Sequence, residues 1–167
     1  SPWEAARLAA PLAPAWAQTT ERLAHNAITT VYLHCSAPHF RGLPSPMVAL
    51  HCDATQPAQF VFDRGFLTQQ PGLLACVVSA SEGERAELAH RVQRQVAQQL
   101  GLSPLHIVQT VVEKRATMAC TPHQQRPPTR ITDTLYACGD YVMGPYPSTL
   151  EGAVRSGQQV IAQLRDR

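Results

Sequence analysis

One stretch, residues 134–164 (TLYACGDYVMGPYPSTLEGAVRSGQQVIAQL), gathers the residues whose types and order could do chemistry. An apolar run ends at Gly139-Asp140, and a loop rich in Pro and Gly leads on to Ser148-Thr149-Leu150-Glu151. That tetrapeptide has the form of a capping box, with Pro147 setting the entry of the chain. The reading is a strand, a Gly-Asp turn, and a helix that starts near Ser148. A carboxylate at a strand end can accept hydroxyl hydrogens, while the N–H groups and positive dipole end of a helix favour developing negative charge. A ligand with hydroxyls and an electron-rich ring suits both. Gly152 and Gly157 fall inside the helix, where each costs roughly 1 kcal/mol relative to Ala, so something bulky is expected close by.

Other candidates are weaker. Glu113-Lys114-Arg115 offers polar groups at the end of a strand, although a solvated strand end is the favoured reading. His34-Cys35 and His51-Cys52 bring metal-ligand residue types together. Alternation nevertheless puts adjacent residues on opposite faces of a strand, so core and surface roles are preferred and no metal is expected. The chain contains no H-E-x-x-H, P-loop or nucleophile elbow.

These groups need a scaffold, and the chain supplies the pattern of one. Residues 28–35 (ITTVYLHC), 47–52, 59–63, 105–114 and 134–138 read as strands. The continuous apolar run 73–80 (LLACVVSA) reads as a central strand buried on both faces. From Glu82 to Leu100, the residues Leu88, Val92, Val96 and Leu100 recur every four positions. The spacing predicts an amphipathic helix, opened by a capping box at Ser81–Glu84 and stopped by Gly101. Ser1-Pro2-Trp3-Glu4 predicts a short helix to near Ala10, and residues 15–27 a second one with Trp16, Thr20 and Leu23 on one face. The expected fold class is α+β, a mixed sheet with flanking helices.

Composition narrows the field. Of 167 residues 44% are hydrophobic and 16% charged, which excludes a disordered chain. The net charge is +2 and no basic cluster exceeds Lys114-Arg115, so no nucleic-acid partner is expected. Five cysteines at irregular spacing, none in a C-x-x-C, read as free thiols of a cytoplasmic protein.

Gly139-Asp140 and Tyr146-Pro147-Ser148-Thr149-Leu150-Glu151-Gly152-Ala153-Val154-Arg155-Ser156-Gly157 together resemble the C-terminal flavin-binding signature of the FAD-dependent amine oxidase and phytoene desaturase superfamily. Residues 28–33, Val61-Phe62-Asp63-Arg64-Gly65, Pro71-Gly72-Leu73-Leu74, 113–117 and 144–147 resemble more narrowly the bacterial hydroxysqualene dehydroxylases, squalene-associated FAD-dependent desaturases. The resemblance implies FAD as cofactor, with Gly139, Asp140, Tyr141, Ser148, Thr149, Leu150 and Gly152 at its site. Asp140 would meet the ribityl or pyrophosphate portion, and the amides around Thr149 and Leu150 the pyrimidine edge. Lys114, Arg115 and Tyr146 are weaker candidates for the substrate side. It implies reductive dehydroxylation of hydroxysqualene to squalene. Carotenoid desaturation, amine oxidation and a flavin-free isoprenoid-binding module stand as alternatives.

Such enzymes open with a strand–G-x-G-x-x-G–helix unit, and no spacing among the nine glycines here fits it. The expectation is therefore a C-terminal portion: residues 1–130 from the substrate-binding domain and 131–167 as the FAD-contacting segment, without the N-terminal Rossmann part, inactive alone and not expected to bind FAD tightly by itself. Val154, Val160, Ile161 and Leu164 would then be exposed and mediate self-association. An apolar substrate also raises peripheral contact with the inner membrane, with Trp3 and Trp16 as candidates, although helix packing accounts better for both.

Overall fold

The computed structural model describes residues 1–165; Asp166 and Arg167, at the end of the expected FAD-contacting segment, lie outside the described residues. Its elements are α1 (Pro2–Ala9), α2 (Pro14–Glu21), β1 (His25–Cys35), β2 (Met47–Ala49), β3 (Phe60–Asp63), α3 (Arg64–Thr68), β4 (Leu73–Ser79), α4 (Arg85–Leu100), β5 (Leu105–Met118) and α5 (Leu150–Arg165). The fold is α+β, a five-stranded sheet with flanking helices. Two compact units are present: residues 26–116, and residues 1–25 with 117–167. The expected boundary at 130/131 separates segments by the ligand each would meet, and compactness divides the chain along different lines.

The sheet belongs to the first unit and runs in the order β2-β3-β4-β1-β5. β4 is its middle strand, as a continuous apolar run predicts, and it pairs antiparallel with β1 on one side and β3 on the other. Alternation then sorts the side chains into two faces. Val31, Leu33, Val61, Leu74, Cys76 and Val78 turn to one face and pack against Leu88, Ala89, Val92 and Val96 of α4. Burial pushes the Cys76 thiol up to about 12. Residues one position away form the other face. There the register sets Met47 opposite Phe62, Phe62 opposite Ala75, and Ala75 opposite Tyr32. A second row joins Ala49, Phe60, Val77 and Thr30. Phe60 and Met47 are exposed, and Tyr32, Phe62 and Val77 half-buried.

Helix ends depart from the sequence reading because capping groups have competitors. Ser81 donates its amide to the Ala27 carbonyl and accepts a hydrogen bond from Thr29 Oγ1, so it is held on β1. Glu84 caps α4 instead, its carboxylate accepting the amides of Ala86 and Glu87 at 2.7 and 3.0 Å. Gly101 ends that helix at φ 65°, a left-handed position that suits glycine. At α1, Ser1 makes no side-chain cap and Glu4 pairs with Arg7 at 2.8 Å. The second helix stops at Glu21 because residues from His25 onward pair in β1. One-turn α3 has no periodic signal in its five residues; Asp63, buried at the end of β3, caps it through the Gly65 amide.

In the second unit, Ala9, Trp16, Leu23, Met118, Tyr141 and Val142 form the core. Trp16 is buried, its indole N–H donating to the Pro128 carbonyl at 2.8 Å, while Trp3 is partly exposed against His25.

Gln95 is the polar pin of the α4 face. Its amide is buried, accepts from the Ala58 N–H and donates to the carbonyls of Ala58 and His51, each at 2.8 Å. Gln95→Leu strands the buried N–H and carbonyl of Ala58, while the His51 carbonyl keeps the Gln99 amide, and should cost about 2–4 kcal/mol in urea unfolding, whereas Arg94→Ala on the exposed side should stay within about 0.5 kcal/mol.

Candidate functional site

The expected strand at 134–138 does not form a ladder. Tyr136 makes a single antiparallel bridge with Arg130, and the Ala137 amide donates to the Thr129 carbonyl at 2.8 Å. The cause is local: Thr132 Oγ1 accepts the amides of Thr134 and Leu135, closing a turn too tight to leave two strands. The chain then enters a loop clamped from outside. Arg126 donates to the carbonyls of Val142 and Gly144 at 2.7 and 2.5 Å, and the Met143 amide donates to the Pro127 carbonyl at 2.8 Å.

From there the loop folds back onto the start of α5. Tyr146 and Ser148 both hold left-handed backbone, φ 57° and 56°. The Ser148 amide donates to the Asp140 carbonyl at 3.1 Å and its hydroxyl to the Met118 carbonyl at 3.0 Å. With that hydroxyl committed, the helix is capped by Thr149 and not by Ser148. Thr149 Oγ1 accepts the Gly152 amide at 3.0 Å and donates to the Tyr146 carbonyl at 2.7 Å. Gly139 is tied to the same helix, its amide donating to Ser156 Oγ at 2.9 Å.

Gly152 is explained by this fold-back. A Cβ there would stand 2.1 Å from the Tyr146 carbonyl oxygen, so the bulk beside the helix is the chain's own loop. At Gly157 nothing lies within 4 Å. What remains open is the helix start itself. Among the described residues, the amides of Leu150 and Glu151 take no acceptor and the Asp140 carboxylate has no partner. Leu150 is fully open at 88% exposure. Between this turn and α5 lies a cavity of about 30 Å³ touching Gly139, Asp140, Gly152, Arg155 and Ser156, room for a water or two.

The structure thus brings Gly139, Asp140, Ser148, Thr149, Leu150 and Gly152 together around one helix start. Tyr141 is adjacent in sequence, but its ring is spent in the core with Trp16 and Met118. Burial first, then the charges of Cys138 and Asp140, push its phenol up. Tyr146 is exposed, with the Arg155 guanidinium 5.0 Å over its ring. Lys114 and Arg115 lie exposed on β5 in the other unit, where the Arg115 amide donates to Glu113 at 3.0 Å. Arg126 and Ser156 were not singled out from the sequence. Ser156 had a signal, a small residue one helical turn after Gly152; Arg126, sixteen residues before the carbonyl it clamps, had none.

With this geometry in place the comparisons are decisive at one level. The model of the flavin-containing amine oxidoreductases matches residues 1–164. The chain belongs to that family, an oxidoreductase family whose cofactor is FAD. An oxidoreductase from Methanosarcina mazei shares the fold at 16% identity and a TM-score of 0.54, over 92% of this chain and 38% of that one. The chain spans well under half the length of that relative. No curated protein matches it.

The residues fit one edge of a flavin. Two unspent amides at the positive end of a 16-residue helix can donate to ring carbonyls, and the unpaired Asp140 carboxylate can accept ribityl hydroxyls. They form an edge and not an enclosure.

The two helical glycines separate cleanly by substitution. Gly152→Ala should cost about 1–3 kcal/mol, since the loop must move, while Gly157→Ala should gain up to about 1 kcal/mol from helix propensity. Urea midpoints of the two variants check both signs.

Proposed function

We propose that this chain carries the flavin edge and the substrate wall of an FAD-dependent oxidoreductase acting on a long isoprenoid, and that its reaction is the reductive dehydroxylation of hydroxysqualene to squalene. The observation that carries the substrate class is the second face of the sheet. Its two rows (Met47, Phe62, Ala75, Tyr32; Ala49, Phe60, Val77, Thr30) contain no charged side chain. A wall of this kind holds a ligand by area, at roughly 25 cal/mol per Å² removed from water, which is how a hydrocarbon chain must be held. The resemblance of residues 28–33 and 61–65 to the dehydroxylases adds the particular reaction.

FAD, when bound, supplies the two-electron chemistry. The chain's own part is to hold and tune it. The Leu150 and Glu151 amides favour negative charge at the ring edge they meet, and Asp140 fixes the ribityl portion. Met47, Phe60 and Phe62 exclude water from the hydrocarbon.

The test is anaerobic incubation of the chain, combined with the nucleotide-binding half and FAD, with hydroxysqualene and a reductant, followed by gas chromatography. Squalene should form, and Phe62→Glu should abolish it while leaving the flavin spectrum intact. Turnover of phytoene or of an amine, with hydroxysqualene untouched, overturns the reading.

The C-terminal helix supports a further contact. Leu150, Val154, Ile161 and Leu164 are exposed along one stripe of α5, with Val160 half-buried beside it. The reading is that the chain associates with itself through this stripe. Sedimentation should report a dimer that Val154→Lys with Ile161→Lys converts to monomer; a monomer at high concentration overturns it. Among the described residues no helix is long and apolar enough to cross a membrane.

A further inference from the structure

Six consecutive residues between β3 and β4, Phe66 to Pro71, are exposed, and the first two of them are large hydrophobics. Phe66 and Leu67 stand 57% and 50% open on one-turn α3. Gln69 closes that turn in a left-handed conformation, φ 57°, so the chain reverses directly behind them. The turn does not need an apolar pair to form, since Asp63 caps it through the Gly65 amide.

The loop before β2 packs beside this tip. Gly42 holds φ 113°, and a Cβ there would stand 3.4 Å from the Phe66 ring and 2.9 Å from the Asp63 carboxylate. Glycine lets the two segments approach this closely. Phe40, Arg41, Phe66 and Pro71 then share the lining of one cavity of about 440 Å³. Arg41 is exposed, its guanidinium held by the carbonyls of Pro38 and Phe40 at 2.8 and 3.4 Å, and it pairs with no carboxylate among the described residues. Charge here is one-sided. No acid occurs from Arg22 to Cys52 or from Arg64 to Ser81. The carboxylate that both segments meet, Asp63, is 1% exposed and spends its oxygens on the amides of Leu43 and Gly65.

We propose that the α3 tip is a docking point for a bilayer surface that carries anionic lipids. Phe66 and Leu67 enter the boundary between headgroups and acyl chains, and Arg41 meets the lipid phosphates. Area argues against a protein partner. Two half-open side chains fall far short of the roughly 800 Å² per partner of a stable interface. A lipid surface asks for less, because a few inserted apolar groups and a neighbouring positive charge act together there. Trp3 and Trp16, the residues that the sequence offers for such a contact, are otherwise engaged, Trp16 in a core and Trp3 against His25. The contact uses no residue of the second sheet face, so it stands apart from the isoprenoid reading.

The experiment is co-sedimentation of the intact chain with vesicles, one set of phosphatidylcholine and one of phosphatidylcholine with phosphatidylglycerol. Binding should be about 10-fold tighter to the anionic set and should weaken as salt is added. Phe66→Ser with Leu67→Ser should weaken it by at least about 10-fold, the scale of two apolar side chains returned to water. Arg41→Gln should lower binding to the anionic set about 5-fold and leave the neutral set unchanged. Because these side chains are exposed, each variant should melt with the wild type. Leu8→Ser with Leu12→Ser, which alters exposed apolar residues elsewhere in the chain, should bind as the wild type does. Binding that survives the loss of Phe66 and Leu67, or equal affinity for the two vesicle sets, overturns the proposal. Release of the vesicles on adding the nucleotide-binding half overturns it as well, and names that half as the occupant.

Discussion

The close passage of the Tyr146 carbonyl over Gly152 is the constraint on which the candidate site depends. Because no Cβ intervenes, the loop after Asp140 lies directly against the first turn of α5. That contact lets Thr149 reach both the Tyr146 carbonyl and the Gly152 amide, and lets Ser156 reach the Gly139 amide one turn later. The helix start is thereby fixed with only some of its donors spent. A helix frayed at this point would lose the alignment that concentrates partial positive charge at its first turn, and the unspent amides of Leu150 and Glu151 would have no defined direction. The glycine cost noted from the sequence is thus exchanged for a preorganised end.

A second constraint acts in the sheet. Period-two alternation gives each strand one face toward α4 and one away from it, and the two faces are stabilised differently. The α4 face is closed by packing and by the buried Gln95 amide, which locks the helix to the 51–58 loop through three hydrogen bonds. The second face contributes less to stability because much of it stays in contact with water. A protein tolerates such a surface when a ligand or partner covers it in use.

How far the sequence could be read follows from whether a feature is local. α4 was legible because four apolar residues repeat with the helical period and Gly101 stops them; its cap was not, because Ser81 is claimed by Thr29, 52 residues away. Ser148 was displaced as cap by the same kind of competition, with Met118 taking its hydroxyl. The strand expected at 134–138 failed for a local reason, the Thr132 turn, whose hydroxyl takes the amides of Thr134 and Leu135. The Gly-Asp turn and the helix behind it were legible as a unit. The clamp of Arg126 on that loop was not, since nothing about an arginine in a Pro-rich segment says which carbonyl it will meet.

A flavin edge made of backbone amides does not choose a substrate, because any oxidoreductase of this family could use the same helix start. The choice falls to side chains, and here the charges argue in one direction. A protonated amine wants a carboxylate or an unopposed aromatic face. Asp63, the carboxylate at the end of β3, turns to the α4 side and already accepts two amides. The rows that hold Phe60, Phe62 and Tyr32 carry no carboxylate to pair with a cation. Family membership names amine chemistry; the proposal of a hydrocarbon substrate rests on the absence of charged side chains from these two rows.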